Sequence, residues 1–308
     1  MSEKITQWCV RIPVREGEEV RRRLIAEGKA DRSLRPYPEE GYLLIPVLEE
    51  TDLQAEFSPT ITHEELARHE QIGGIVVLQE EDTAGAEKIL AARPSAHTAL
   101  FATSPVEGEF RTKTFKVLAG KKTTETMYHE YGHRMIIDLT AAYFSARLSN
   151  ERQRILSSMK EGEVVLDMFA GVGPFPVMLS GKAKLFVAND INPSAVYLLQ
   201  KNIRLNHLHN VVPTLGDAMN LPFMLDPMKF DRIIMNLPFA AYGFLAGAAC
   251  LAAKKATIHL YSLVEKEGEH NEDILRAFPD AKITERFLRS YSPTSWHAVY
   301  DIEVGNEM

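Results

Sequence analysis

The stretch Asp167-Met168-Phe169-Ala170-Gly171-Val172-Gly173-Pro174-Phe175 decides how the second half of this chain folds. The aliphatic run Val164-Val165-Leu166 before it is typical of a strand buried on both faces of a sheet. A Gly-x-Gly turn follows, and Pro174 suits the first turn of a helix, where its missing N–H costs nothing. This order predicts half of a nucleotide-binding crossover, because it brings main chain and free helix N–H groups close to a ligand.

The residues around this turn favour one class of nucleotide ligand. A dinucleotide fingerprint has a third glycine three residues after the second, and Pro176 occupies that position. Asp167 precedes the turn, where its carboxylate would repel a pyrophosphate but can pair with an ammonium group. Both features favour a cationic nucleoside without phosphates, such as S-adenosylmethionine. An ordinary strand–turn–helix that binds nothing is the alternative.

Polar residues that follow the next strands support a ligand site. Asp190 ends a second predicted strand, residues 184–188, and stands about twenty positions after the first glycine, where an acidic residue can hold a ribose diol. Asn192 and Pro193 begin the next helix. Asp217 follows a third apolar segment and can accept a hydrogen bond from an adenine amino group. Helix capping is the alternative for both aspartates, but their order behind the glycine turn favours ligand contacts.

Composition narrows the class of protein. The 308 residues suffice for about two domains, and no apolar run approaches the ~20 residues of a membrane span. Two cysteines in unlike contexts, Cys9 and Cys250, fit a reducing cytoplasm, and we expect Cys250 to be buried in a helix. The net charge of −7 argues against indiscriminate nucleic-acid binding. Two basic clusters nevertheless allow a specific pose: Arg21, Arg22, Arg23, Lys29, Arg32 and Arg35, and Arg111, Lys113, Lys116, Lys121 and Lys122.

The chain before the glycine turn divides into two regions by its hydrophobic pattern. The first, residues 1–60, predicts a small α/β domain with strands at 7–13 and 42–47 and a helix at 17–28 that presents Val20, Leu24 and Ile25. The second, residues 61–150, begins with a helix–strand–helix passage at 63–92. It continues with three predicted strands, 110–118, 123–130 and 134–139.

The segment His129-Glu130-Tyr131-Gly132-His133 matches the zinc-protease pattern H-E-x-x-H. That pattern binds zinc only on a helix, where both histidines share one face. Gly132 weakens such a helix by about 1 kcal/mol relative to alanine, and the flanking residues favour strands. We therefore predict a hairpin that turns at Tyr131-Gly132, and no metal site.

Together these segments resemble the archaeal and eukaryal tRNA (guanine-37-N1)-methyltransferase family. The resemblance spans about 110–297 and is mainly architectural before residue 60. Two departures stand out, because the family normally has proline at Ala146 and often a basic residue at Phe239. The segments that carry the resemblance, besides the glycine turn, are Arg111-Thr112 with Phe115-Lys116-Val117-Leu118-Ala119-Gly120, Tyr143-Phe144-Ser145-Ala146-Arg147-Leu148-Ser149-Asn150-Glu151-Arg152, Asn236-Leu237-Pro238 and Arg289-Ser290-Tyr291-Ser292-Pro293.

The resemblance implies a fold and a substrate. Residues 151–308 should form a class I methyltransferase domain, a seven-stranded mostly parallel sheet whose last strands, near 283–289 and 296–303, are antiparallel. Residues 1–60 should contact the tRNA elbow, and residues 61–150 should contribute to the active site. The implied reaction transfers a methyl group from S-adenosylmethionine to N1 of guanosine 37, immediately 3′ of the anticodon. A cytoplasmic monomer is expected.

The resemblance also implies residue roles. Glu151 should act as general base, Arg111 should steady charge on guanine O6, Asn236 should orient the base and Pro238 should shape the pocket. Tyr143 and Phe169 can equally be core aromatics, and Arg147 can simply pair with a carboxylate. The residues expected around the methyl donor are Tyr143, Arg147, Asp167, Phe169, Gly171, Val172, Gly173, Asp190, Asn192, Pro193 and Asp217.

Other functions remain open at the level of sequence. Wyosine-pathway aminocarboxypropyltransferases resemble the same family but attack a different carbon of the sulfonium, and some relatives methylate a wyosine precursor. Glu151 and the Asn236-Leu237-Pro238 motif favour methyl transfer, and methylation of a wyosine precursor as well as guanosine stays open. A tRNA-binding protein without activity should lack donor-pocket groups, yet Asp167, Gly171, Gly173 and Asp190 are present. A zinc metalloprotease is the least favoured alternative.

Overall fold

The computed structural model describes residues 4–60, 66–106 and 108–305. Internal contacts divide the chain into two compact units, residues 1–68 and 69–308. The second unit contains both the region predicted as a middle domain and the region predicted as a methyltransferase domain. Within the described residues, no helix is both long and apolar enough to cross a membrane.

The first unit is a four-stranded antiparallel sheet with one helix. The sheet order is β2-β3-β1-β4, and the elements are β1 (Ile5–Pro13), α1 (Val14–Ala26), β2 (Tyr37–Glu39), β3 (Tyr42–Pro46) and β4 (Gln54–Phe57). Its core contains Cys9, Leu44 and Phe57. The predicted apolar stripe of α1 is partly wrong, since Ile25 is exposed. Gly17 is the buried position of this helix because a Cβ there would lie 2.7 Å from Cδ2 of Leu43.

The second unit begins with a four-stranded sheet of order β5-β6-β7-β8. Its elements are β5 (His69–Ile72), β6 (Ile75–Leu78), α2 (Thr83–Ala92), β7 (Thr98–Ala102) and β8 (Phe115–Gly120). The helix predicted from residue 63 lies partly outside the described residues, and its later part is wrong because β5 is a strand. Pairing explains the difference: β5 is antiparallel to β6, with Ile72 opposite Ile75.

A hairpin replaces the helix that the zinc-protease pattern requires. Strands β9 (Glu125–Glu130) and β10 (His133–Asp138) pair antiparallel, with His133 opposite Glu130. The turn uses positive φ at Tyr131 (45°) and Gly132 (85°). The predicted hairpin is confirmed. Glu130 makes a buried bidentate ion pair with Arg152, at 2.6 Å for both bonds, and no cluster of metal-ligand residues occurs among the described residues.

The rest of the second unit is built on a seven-stranded sheet of order β13-β12-β11-β14-β15-β17-β16. All pairs from β13 to β15 are parallel, and β17 is antiparallel to both β15 and β16. The predicted class I methyltransferase sheet with an antiparallel edge is therefore confirmed. The strands are β11 (Glu163–Asp167), β12 (Ala183–Asp190), β13 (Val211–Leu215), β14 (Phe230–Met235), β15 (Ala252–Val264), β16 (Lys282–Ser292) and β17 (Ser295–Val304).

Helices cover this sheet and bury its aliphatic strands. They are α3 (Ser149–Ser158), α4 (Pro174–Leu179), α5 (Pro193–Leu205), α6 (Leu221–Met224), α7 (Leu245–Leu251) and α8 (Asn271–Ala277). One buried cluster joins strand residues such as Ile233 and Ile258 to Leu245 of α7, and another joins Val165 and Phe186 to Leu199 of α5. Cys250 does lie on a helix, but its predicted burial is wrong because its side chain faces solvent.

Two asparagines, Asn202 on α5 and Asn206 at its C-cap, tie the hairpin to the sheet domain. Asn202 is fully buried and accepts from the N–H of Ile136 (2.7 Å) while donating to the carbonyls of Ile136 (3.1 Å) and Val172 (2.9 Å). One turn later, Asn206 makes the same kind of double contact with the main chain of Arg134 at 3.0 and 2.6 Å. These side-chain amides form hydrogen bonds with main-chain N–H and C=O groups at the edge of β10, as a neighbouring strand would.

Candidate active site

The glycine turn after β11 is shaped by two residues with left-handed main chain. Gly171 and Gly173 have φ values of 56° and 92°. Gly173 also packs so closely on α5 that an added Cβ would lie 2.4 Å from Cδ1 of Leu199. Asp190 fixes the turn, since one carboxylate oxygen accepts from the N–H of Gly171 at 2.7 Å and the other from that of Asn192 at 2.9 Å. Burial raises the pKa of Asp190, although these main-chain donors oppose the shift.

Beside this turn, two buried polar atoms have no partner within the described protein. They are Oδ2 of Asp167, at the end of β11, and Oδ1 of Asn236, after β14. The other Asp167 oxygen accepts from the N–H of Phe169 at 3.1 Å. Burial, with a smaller contribution from Asp190, raises the pKa of Asp167 to about 8. A buried carboxyl group with a free oxygen suits a cationic ligand, and S-adenosylmethionine carries an ammonium and a sulfonium.

Asn189 is a site residue that the sequence reasoning missed. Its amide donates to the carbonyls of Met168 (3.2 Å) and Gly216 (2.9 Å), and its oxygen accepts from the hydroxyl of Thr214 (3.1 Å). It thus fastens together the carboxyl ends of β11, β12 and β13, where the ligand site of an open α/β sheet lies. The signal available in the sequence was an amide at the end of an otherwise apolar strand, and the structure buries that amide.

Four of the residues predicted around the methyl donor have protein partners. Asp217 is exposed and caps the following turn by accepting from the N–H of Met219 at 2.9 Å. Asn192 caps α5 and donates to the carbonyl of Ala141 at 2.8 Å. Arg147 pairs with Glu70 at 3.0 Å. Val172 is fully buried among core residues, so its side chain belongs to the packing of the fold.

The remaining predicted donor-pocket residues differ in exposure. Phe169 lies partly buried against Phe244, with ring centroids 5.0 Å apart. Pro193 is the first residue of α5, next to the cap that Asn192 provides. Tyr143 is 46% exposed, so it is a surface ring rather than a core aromatic. The turn and the strand ends therefore gather around a common edge of the sheet, while several neighbouring side chains mainly support that edge.

Arg111 lies next to the turn that begins at Asn236. Its guanidinium is 4.5 Å from the ring centroid of Phe239 and 5.3 Å from that of Tyr143. The residue has a φ of 54°, uncommon for a side chain other than glycine. Burial lowers the pKa of Arg111, partly offset by Tyr143 and Tyr291, yet a guanidinium stays charged at neutral pH. Phe239, where the resemblance leads one to expect a basic residue, thus packs against a cation.

The segment Arg289-Ser290-Tyr291 completes this aromatic and cationic surface, which sequence reasoning did not foresee. The ring of Tyr291 meets Phe239 edge-on at 5.8 Å and His297 at 5.3 Å. Arg289 contacts Nε2 of His297 at 3.0 Å. Burial and the nearby cations Arg289, Arg111 and Arg147 lower the pKa of His297 to about 4, so it is neutral at pH 7. Cations and half-exposed rings together suit a nucleobase and its phosphates.

Glu151 lies in the first turn of α3 and is almost completely buried. One of its carboxylate oxygens accepts from Nε of Arg154, one turn along the same helix. The partners of Arg111 are the rings described above, so the structure gives the two residues separate surroundings. The motif Asn236-Leu237-Pro238 follows β14 and is held by the N–H of Leu263, which donates to the Pro238 carbonyl at 2.9 Å.

Family comparisons agree with this geometry. A model described as the TRM5/TYW2 methyltransferase domain matches residues 126–284, which is more than half of the chain. The chain belongs to the TRM5/TYW2 methyltransferase family. A second model, described as the tRNA methyltransferase 5 N-terminal domain, matches residues 9–55 of the first unit. The predicted family is therefore confirmed.

Individual relatives in this family are similar over nearly the whole chain. The tRNA (guanine(37)-N(1))-methyltransferase Trm5b of Pyrococcus abyssi is 36% identical, covering 96% of this chain and 98% of that protein. A solved structure described as the complex of aTrm5 and tRNALeu superimposes with a TM-score of 0.73, at 29% identity, over 96% of this chain and 99% of that one.

A TRM5/TYW2 relative with a different reaction matches a smaller part of the chain. The tRNA(Phe) (4-demethylwyosine(37)-C(7)) aminocarboxypropyltransferase of Methanocaldococcus jannaschii is 32% identical. That match covers 96% of the relative but 76% of this chain. The share of this chain that is matched, more than the sequence identity, distinguishes the guanosine methyltransferase relative from the aminocarboxypropyltransferase relative.

Proposed function

We propose that this protein transfers a methyl group from S-adenosylmethionine to N1 of guanosine 37 in tRNA. The observation that carries the proposal is the extent of the similarity to the Pyrococcus enzyme, which covers 96% of this chain and 98% of that enzyme. The matched part includes the first unit, which also fits the N-terminal domain model of tRNA methyltransferase 5. The aminocarboxypropyltransferase relative matches less of the chain.

The chemistry requires a base because N1 of guanine carries a proton at neutral pH. S-adenosylmethionine supplies an electrophilic methyl group on a sulfonium. In our proposal the Glu151 carboxylate accepts the N1 proton, and its burial in the first turn of α3 protects it from bulk water. Arg111 balances the negative charge that develops on guanine O6, since its guanidinium rests on two aromatic rings and keeps its donors available.

The strand ends would hold the donor. Asp167 offers an unpartnered buried oxygen to the positive charge of the donor, and Asp190 lies beside the turn at Gly171, where a ribose would be held. Asn236 offers the other unpartnered oxygen, which we assign to orienting the guanine edge, with Pro238 shaping the pocket. We retain Asp217 as the acceptor for the adenine amino group. Its capping hydrogen bond uses Oδ1, and the other carboxylate oxygen can still accept.

We further propose three domains, at residues 1–60, 61–150 and 151–308, acting as a cytoplasmic monomer. The last two would form the active site around the anticodon loop. The first would contact the tRNA elbow through its basic cluster, in which Arg32 and Arg35 are exposed. The net charge of −7 is consistent with a localised contact rather than general affinity for RNA.

The proposal is tested with an unmodified tRNA transcript and S-adenosylmethionine labelled in its methyl group. Nucleoside analysis after digestion should show one labelled product, 1-methylguanosine, and a transcript with adenosine at position 37 should remain unlabelled. Label elsewhere in the tRNA, or none with an intact donor-binding protein, would contradict the proposal.

Transfer of an aminocarboxypropyl group is the second candidate, favoured by the similarity to the Methanocaldococcus enzyme. The two reactions leave different fragments of the donor on the RNA. Donor labelled in the methionine carboxyl group distinguishes them, because methyl transfer leaves that label off the tRNA. A tRNA that carries a wyosine precursor at position 37 should be tested in parallel.

A further inference from the structure

Glu151 stands at one end of a chain of hydrogen-bonded ionisable side chains in the interior of the second unit. The chain runs across the sheet from α3 to the beginning of β11, and most of its members are buried. None of these residues except Glu151 has a role in the reaction proposed above. In order of contact they are Glu151, Arg154, Asp301, His259, Arg232 and Glu163.

Arg154 is held at both edges of its guanidinium. Its two terminal nitrogens donate to the two oxygens of Asp301 at 2.7 and 2.9 Å, in a bidentate pair. Its Nε donates to Glu151. Side-chain exposures of 29% for Arg154, 11% for Asp301 and 6% for Glu151 place these contacts largely out of water. Such a fork fixes orientation as well as charge.

Asp301 has a second partner, His259, in addition to Arg154. It accepts from Nδ1 of His259 at 2.6 Å, while Nε2 of that ring accepts from Arg232 at 2.5 Å. Because a guanidinium can only donate, Nε2 of His259 must be the acceptor and the ring proton lies on Nδ1. Burial lowers the pKa of His259, in keeping with this assignment. Arg232 is anchored by Glu163 at 2.7 and 3.1 Å.

This support keeps Asp301 ionised. Burial by itself would raise the pKa of Asp301, but hydrogen bonds from His259 and Arg154 outweigh it and hold that pKa well below its usual range. Arg286 on β16 adds an exposed contact to the same carboxylate at 3.3 Å.

Glu151 needs this arrangement because a buried carboxylate without a counter-charge takes up a proton and is then useless as a base. The groups that face it are Arg154 from its own helix, Tyr261 from β15 and, beyond Arg154, Asp301 from β17. We propose that Arg154, clamped by Asp301, is the positioning residue that supplies the counter-charge of Glu151 and aims its carboxylate for proton removal. The inference rests on the proposed role of Glu151 in methyl transfer.

The test is the pH dependence of single-turnover methyl transfer, with saturating donor and tRNA. Arg154→Gln removes the counter-charge, so the acid limb of the rate profile should move up by about 1–2 pH units, and the rate should recover at high pH. Arg154→Lys keeps the charge, so the acid limb of its rate profile should lie close to that of the wild type. Arg286→Gln is the matched control, because it removes an arginine that contacts Asp301 without contacting Glu151, and it should behave as wild type.

Asp301→Asn provides a readout of opposite sign. It removes a negative charge near Glu151 and loosens the clamp, so the rate should fall while the acid limb stays in place or moves to lower pH. This variant also tests the inference if Arg154→Gln fails to fold. An equal loss at every pH in Arg154→Gln, or an upward shift in Asp301→Asn, would overturn the positioning role.

Glu151→Gln separates this inference from the function on which it rests. A large rate loss in Glu151→Gln together with an unmoved limb in Arg154→Gln overturns the positioning role alone. A wild-type rate in Glu151→Gln would show that Glu151 is not the base, and the positioning role of Arg154 would fall with it. The labelled product of the wild-type protein would still identify the reaction.

Discussion

At the scale of single residues, Arg111 combines a strained main chain with cation–π contacts to two aromatic rings. A φ of 54° is costly for an arginine, and two rings beside the guanidinium offset part of its burial. Among the described residues no carboxylate forms an ion pair with it, so its donors are directed by packing alone. That arrangement suits a group whose negative charge appears only during the reaction.

Arg111→Ala should therefore lower the single-turnover rate by about a hundredfold, close to the ~3 kcal/mol typical of an oxyanion-stabilising donor. Arg111→Lys should recover little, because an ammonium lacks the planar fork. Donor affinity, measured by calorimetry, should stay near wild type in both variants. Lys113→Ala is the control for loss of a nearby cation. A rate within twofold of wild type in Arg111→Ala would exclude Arg111 from the chemical step.

Asp167 makes the stability of the free protein depend on pH. Its pKa of about 8 in the folded state exceeds the ordinary value of 3.8, so between these values the folded protein binds a proton that the unfolded chain does not. Stability should consequently fall as pH rises through that window, by at most about 1.4 kcal/mol per pH unit. Asp167→Asn should flatten this dependence and weaken donor binding, as followed by urea denaturation and calorimetry.

The control for Asp167 is Asp273→Asn, which alters a carboxylate that is 43% exposed on α8. Its unfolding free energy should follow the wild-type pH dependence. Saturating donor should reduce the slope in the wild-type protein, because a bound cation favours the ionised carboxylate. A slope that is identical in wild type and Asp167→Asn would contradict the assignment.

Most elements near the site follow from hydrophobic pattern and turn chemistry. The strand before Gly171, the helix after Asn192 and the hairpin at Tyr131-Gly132 are local consequences of residues only a few positions apart. Strand β2, which contains Pro38, and the polar β4 gave no such signal, because their pairing partners define them. The contact between Arg154 and Asp301 joins residues 147 positions apart, so no local pattern announces it.

The same limit applies to the link between α5 and β10. Nothing near Asn202 in the sequence distinguishes a buried amide from an ordinary polar helix position. Its function in the fold comes from bonding to Ile136 and to the Val172 carbonyl of the glycine turn. The hairpin and the donor turn are therefore braced by one side chain.

Asn202→Ala should destabilise the protein by about 2–3 kcal/mol, since it leaves buried main-chain groups of Ile136 and Val172 without partners. It should also weaken donor binding, because Val172 belongs to the glycine turn. Asn206→Ala is a matched control that removes more exposed hydrogen bonds, those to Arg134, and a smaller destabilisation without an effect on the donor is expected. Equal effects of the two substitutions in urea denaturation and calorimetry would argue against the bracing role.

At the scale of the whole molecule, the two units carry different parts of the proposed function. The donor turn, Arg111 and Glu151 all lie in residues 69–308, whereas the matched N-terminal domain lies in residues 1–68. Within its basic cluster, Arg21 and Arg22 pair with Glu18, and Lys29 pairs with Glu27 and Glu49. Arg32 and Arg35 are exposed members of the cluster that can meet phosphates.

The double substitution Arg32→Ala/Arg35→Ala should weaken tRNA binding and reduce the slope of log affinity against log salt by about one for each phosphate that is no longer neutralised. The rate at saturating tRNA should not change, because the chemistry resides in the other unit. Arg15→Ala, which removes an exposed arginine outside the cluster, should leave affinity unaltered. On an anticodon stem-loop RNA, which has no elbow, the double variant should equal wild type, since that substrate has no phosphates for these arginines to meet. Weaker binding of the stem-loop as well would place these arginines at the anticodon end of the tRNA instead.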